Sequence, residues 1–60
     1  MEQYEIRITK KGTTSPKIIR AALASAYAAI RRATMISEEG DLVEVWLGLS
    51  CVYSTAGAAT

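Results

Sequence analysis

Few residues of this chain have side chains that are typical of catalytic or metal-binding sites. The 60 residues include no His, and Cys51 is the only cysteine. Neither a His-based general base nor the usual Cys and His ligands of a structural zinc site are therefore present. Cys51 alternates with apolar residues in a predicted strand, which favours a small buried hydrophobe over a reactive thiolate. We expect no enzymatic activity, no cofactor and no metal site.

Acidic residues cluster around Gly40, and they are the other group with chemical potential. The cluster lacks the Asp-x-Asp-x-Asp-Gly spacing of a calcium-binding loop, so a solvated turn is the better interpretation. Its members are Glu38, Glu39, Asp41 and Glu44.

The charges are zoned along the sequence. All seven Lys and Arg lie between Arg7 and Arg32, no acid lies between Ile6 and Ser37, and the net charge is only +1. Basic side chains of this kind bind phosphate or acidic surfaces, but they also form weak ion pairs with acids across a sheet, and the sequence leaves both readings open. The candidate contacts to an anionic partner are Lys10, Lys11, Lys17, Arg20, Arg31 and Arg32.

The elements that must position these residues begin with a strand. Residues 3–10 alternate between apolar and polar side chains, which is the period of a half-buried strand. One face holds Tyr4, Ile6 and Ile8, and the other holds Glu5, Arg7 and Thr9.

An alanine-rich segment follows and predicts a helix over residues 15–32. Ser15 is a suitable N-cap, and Pro16 suits the first helical position. Lys17 would then lie in the first turn, where a cation is unfavourable unless an anion relieves it, so we expect an anionic partner near this helix start. Tyr27 would lie on the outer side of the helix.

The remaining chain predicts a short strand or a helix end at residues 33–37, a strand at residues 42–53 and a tail at residues 54–60. We favour a hairpin through Gly40 over an extension of the helix, because two acids near a helix C-terminus oppose its dipole. Gly48 is a candidate bulge or bend within the long strand. Trp46 and Val52 lie on the face away from the helix and need cover, so with Tyr27 they form a candidate interface.

These elements predict one α+β domain over residues 1–60, a small sheet with one helix on one face in the order β-α-β-β or β-α-β. The arrangement resembles half of a ferredoxin-like fold. So short a chain has a marginal core and no disulfide, which leaves oligomerisation as the common remedy. We expect a homodimer that completes the sheet.

The leading functional hypothesis is a small non-catalytic protein-interaction module, of the kind that phages and mobile elements encode as inhibitors or regulators. A nucleic-acid-binding protein that uses the basic helix and preceding loop is the alternative. The polar N-terminus and the lack of a long apolar run predict a cytoplasmic protein without membrane contact.

Overall fold

A computed structural model of the protein describes residues 1–56 and has an α+β fold. Four antiparallel strands form one sheet in the order β2-β1-β3-β4, and one helix packs against it. The elements in chain order are β1 (Glu2–Thr9), β2 (Lys17–Leu23), α1 (Ala26–Ile36), β3 (Leu42–Leu47) and β4 (Ser50–Ser54).

The first strand is central and shows the alternation predicted for residues 3–10. Tyr4, Ile6 and Ile8 are buried, while the residues between them are half-buried on the opposite face. β1 pairs with β2 on one side and with β3 on the other. This strand therefore holds the two halves of the sheet together.

The helix predicted over residues 15–32 is wrong for its first half, because Lys17–Leu23 forms strand β2. The turn that reverses the chain contains Gly12 at φ 86°, and Thr13 donates its backbone N–H to the Lys10 carbonyl at 2.9 Å. Ile19 then lies opposite Ile6 on the same face of the sheet. The helical propensity of the alanines is weak compared with the pairing that β1 offers, so tertiary context decides the segment.

The N-cap of the helix lies ten residues later than predicted. Ser25, not Ser15, caps it, and its hydroxyl accepts the Ala28 N–H at 3.2 Å. The helix also continues through residues 33–36, so the favoured short strand at 33–37 is wrong and the helix-end alternative is correct. The Ser37 N–H still donates to the Ala33 carbonyl, which extends the helical bonding to the C-cap.

Small residues bring the helix close to the sheet. Ala29 and Ala33 are fully buried and pack in one cluster with Ile6 and Val45, which are the largest fully buried side chains. The core is mostly aliphatic but includes the buried ring of Tyr4, so its stability comes chiefly from burial of Ile and Val with a contribution from this ring. The partly buried residues around this cluster are Ile19, Leu23, Ala26, Ile30, Leu47 and Tyr53.

The strand predicted over residues 42–53 is two strands joined by a tight hairpin. Gly48, at φ 61°, and Leu49 form the loop between Leu47 and Ser50, which agrees with a turn that has Gly at its first central position. A register shift opposite Val45 and Trp46 marks a bulge in this pair.

This hairpin also reverses the predicted orientation of Cys51. Cys51 pairs with Trp46 and is exposed, so it lies on the face opposite the core and is not a buried hydrophobe. The observed element order is ββαββ, which corrects the predicted β-α-β-β and β-α-β orders. Of the predicted tail, Thr55 still bonds to β3 through Val43, and residues 57–60 lie outside the described residues.

The fold predicts which isoleucine dominates stability. Replacing buried Ile6 by Val should reduce the free energy of unfolding by about 1 kcal/mol, because one buried methylene is lost. Ile18→Val is the matched control, since Ile18 is 47% exposed and should change stability by less than about 0.5 kcal/mol. Urea unfolding of both variants measures the difference, and equal losses would contradict the placement of the core.

Candidate functional site

The sheet face opposite the helix carries a connected set of charged and aromatic side chains. We call this surface the open face, because no element within residues 1–56 packs on it. Register places Glu5 beside Arg20 on one side and beside Trp46 on the other. The side chains of the open face include Glu5, Arg7, Thr9, Ile18, Arg20, Leu42, Glu44, Trp46 and Cys51.

Trp46 is held from two directions. The Arg7 guanidinium lies over its ring, with Cζ 4.5 Å from the ring centroid, as in a cation–π interaction. The indole N–H donates to Glu44 Oε1 at 3.2 Å. The ring is thus fixed in orientation while its residue remains half-buried.

Glu5 extends this set across the sheet. Its carboxylate accepts a hydrogen bond from Arg7 Nε and, through the other oxygen, one from Arg20 Nε at 3.2 Å. The bond from Arg7 is the largest cause that lowers the pKa of Glu5; burial acts in the opposite direction, and Arg20 adds to the lowering. Glu5 therefore stays ionised and orients both arginines. We call these five residues the Trp46 network: Arg20, Glu5, Arg7, Trp46 and Glu44.

The outer side of α1 forms a second surface. Tyr27 is 69% exposed and Met35 is 75% exposed, and Arg31 Cζ lies 6.0 Å from the Tyr27 ring centroid. These residues line an open groove of about 350 Å³ together with Ala28 and Arg32. This surface lies on the side of the helix away from the sheet.

The loop after the helix is tied to the β1–β2 turn by Asp41. Its side chain is only 3% exposed, and its two oxygens accept the backbone N–H of Glu38 at 2.9 Å and that of Lys11 at 3.2 Å. Lys10 Nζ lies 3.1 Å from Asp41 and 3.5 Å from Glu38. The predicted solvated turn is therefore an ordered contact between two loops.

These bonds shift two pKa values in opposite directions. The Glu38 N–H is the largest cause that lowers the pKa of Asp41; burial opposes it, while Lys10 and the Lys11 N–H also lower it. The hydrogen bond to Asp41 is in turn the largest cause that raises the pKa of Lys10. Both groups are therefore held in their charged forms, and Lys10 is already partnered.

Lys17 does not lie at a helix start, so the argument for an anion bound by the helix dipole at this residue is wrong. It begins β2 and pairs with Ile8. Lys17 and Lys10 line a cavity of about 220 Å³ whose apolar wall is Ile8, Ile19 and Ile36. The cavity lies between the sheet and the end of the helix.

The six basic candidates are distributed over three parts of the molecule. Lys10, Lys11 and Lys17 lie at the β1–β2 turn, Arg20 belongs to the Trp46 network, and the two helix arginines line the groove. The candidate interface residues are separated as well. Tyr27 lies on the helix and Trp46 on the open face, while Val52 lies on the edge strand β4 and is 39% exposed.

Sequence reasoning missed the roles of Arg7, Glu44 and Asp41. Glu44 and Trp46 share one face of β3 two residues apart, so that pair was visible in the alternation. The contact of Arg7 with Trp46 depends instead on the β1–β3 register, which places Arg7 opposite Glu44. Asp41 follows Gly40, and an Asp beside a glycine turn is a signal for side chain to backbone bonding.

Comparison with protein-family models, curated proteins and solved structures gave no significant match. Within residues 1–56, no helix is long and apolar enough to cross a membrane. The same residues contain no group of three or more His, Cys, Asp or Glu placed to hold a metal ion.

Asp41 should make stability depend on pH in the acid range. Because folding lowers its pKa, its contribution is complete above the ordinary Asp pKa and is lost as pH falls through that value towards the lowered one. Asp41→Asn should lower stability at neutral pH and flatten this acid dependence. Glu39→Gln is the control, since Glu39 is exposed in the same loop. Urea unfolding from neutral pH to about pH 2.5 tests both variants, and identical profiles would contradict the role of Asp41.

Proposed function

We propose that this protein is a small non-catalytic interaction module whose open face docks on another protein, and that it acts as an inhibitor or regulator by covering the surface it binds. The observation that carries the proposal is the Trp46 network. Trp and Arg are the residue types most enriched among those that dominate binding energy at interfaces. Here both are oriented before any partner arrives.

The network reduces the cost of binding. Ordering a flexible side chain at an interface costs about 0.5–1.5 kcal/mol, and this cost falls when the side chain is already fixed. Trp46 is bonded through its N–H and stacked under Arg7, whose own position is set by Glu5. Apolar residues beside the network, such as Ile18 and Leu42, supply further contact area.

The placement of the basic residues supports a protein target over nucleic acid. A nucleic-acid surface needs several cations that reach phosphates along one stripe. In this chain Lys10 and Arg20 are already ion-paired, and the other four basic candidates are divided between the β1–β2 turn and the helix. A test of docking must therefore distinguish a protein partner from a nucleic-acid partner.

Self-association through β4 is the second part of the proposal. The two sheet edges differ, because β2 carries Lys17 and Arg20 whereas Val45 to Thr60 contains no charge. Charged edge residues oppose pairing with another strand, so β4 is the edge that a second copy would join. The bulge in the β3–β4 pair shortens the regular edge, and we therefore expect a dimer that dissociates on dilution.

The docking proposal is tested by photo-crosslinking from the open face. Leu42 lies on this face and is replaced by p-benzoylphenylalanine, with the same replacement of exposed Glu39, in the loop after the helix, as the positional control. Exposure to light in a lysate of the source cells should give a discrete protein adduct from position 42. Adding Trp46→Ala should reduce that adduct about tenfold or more, as expected for a dominant interface residue.

Two results would reject the docking proposal. One is a nuclease-sensitive adduct, which would favour nucleic acid, and the other is a protein adduct that Trp46→Ala leaves unchanged. Circular dichroism of the Trp46→Ala variant confirms that it is folded before the comparison is made.

The dimer is tested by light scattering at two protein concentrations. Val52→Lys puts a charge on the β4 edge and should shift the mass towards that of the monomer. Ile18→Lys, on the other edge strand, should leave the mass unchanged. A wild-type monomer at both concentrations would remove this part of the proposal, and equal effects of the two variants would place the contact elsewhere.

A further inference from the structure

The outer side of α1 combines exposed apolar side chains with cations that have no acidic partner in the described part of the chain. Tyr27, Arg31 and Met35 follow one another at intervals of four, so they form one stripe, and Ala28 and Arg32 form the neighbouring one. The groove between them is about 350 Å³ in volume. All residues that line this groove belong to the helix, so it shares no residue with the open face.

The charge of this groove is not neutralised within residues 1–56. The ion pairs there involve Arg7, Lys10 and Arg20, and neither Arg31 nor Arg32 takes part in one. The helix Ala26–Ile36 contains no acid at all. Arg31 Cζ lies 6.0 Å from the Tyr27 ring centroid, and an arginine in such a contact keeps its N–H groups able to donate.

We propose that this groove is a second docking surface, and that its partner is an acidic amphipathic protein segment. Apolar side chains of the segment would pack against Tyr27, Ala28 and Met35, and carboxylates beside them would bind the two arginines. Arg is suited to this because its planar guanidinium can donate two parallel bonds to one carboxylate. The protein is then a two-sided adaptor with one partner on each side of the sheet–helix sandwich.

The size of the charged set favours this partner over other anionic ones. Recognition of an anionic membrane surface typically uses clusters of four to eight basic residues beside an apolar anchor. Binding to a nucleic acid relies on contacts to several phosphates. A shallow apolar groove flanked by two arginines instead suits an amphipathic helix, whose apolar face lies in the groove while its acidic side chains reach the arginines.

The test uses a short designed amphipathic peptide that carries Leu on one helical face and Glu at both sides of it. A matched peptide carries Lys in place of Glu. Each is titrated into ¹⁵N-labelled full-length protein, and amide chemical shifts report both the affinity and the site. The protein variants are Arg31→Gln/Arg32→Gln, the exposed-lysine control Lys11→Gln, and Trp46→Ala.

Support requires that the acidic peptide shifts the amides of residues 27–35 and binds about tenfold more weakly to Arg31→Gln/Arg32→Gln, as expected for the loss of two charged contacts. Lys11→Gln and Trp46→Ala should leave this affinity unchanged, so a failure at the open face would not affect this result. The proposal is overturned by absence of binding, by equal binding of the lysine peptide, or by shifts centred on Trp46. Stronger binding of the same residues to duplex DNA or to phosphatidylglycerol vesicles would also overturn it.

Discussion

One short helix covers only one face of the four-stranded sheet, and the rest of the structure depends on this constraint. Helix α1 has 11 residues and packs on one side of the sheet, where it closes a core built around Ile6 and Val45. The opposite side receives no second layer from residues 1–56. A sheet normally buries its apolar faces against another layer, so this face must be made stable in water by its own side chains.

The Trp46 network satisfies that requirement. Alternating charges on neighbouring strands pair with each other, and cross-strand pairs of opposite charge stabilise a sheet. Arg7 has two functions here, because it bonds to Glu5 and covers the Trp46 ring. The same contacts that stabilise this face in water also hold its largest aromatic ring, Trp46, in a fixed position. In the proposed function, one set of residues therefore provides both the stability of the free protein and the preorganisation of its docking face.

Local patterns predicted part of this fold and failed where pairing decided the outcome. The alternation around Ile6 and the α+β class were readable, because a period of two is a strong signal. Residues 17–23 were read as helix from their alanines, although Ile18 and Ile19 are β-branched and β1 had a free edge to fill. The register that brings Arg7 to Trp46 connects positions far apart in sequence, and no local pattern contains that information.

The same register divides the sheet into two local hairpins with one seam between them. β1 with β2 and β3 with β4 are each joined by a local connection, residues 10–16 and residues 48–49, whereas only the β1–β3 pairing joins strands on either side of the helix. Loop-closure entropy is therefore concentrated in one step of assembly. Because long-range pairing slows folding, the β1–β3 seam is the pairing expected to limit the folding rate of this chain.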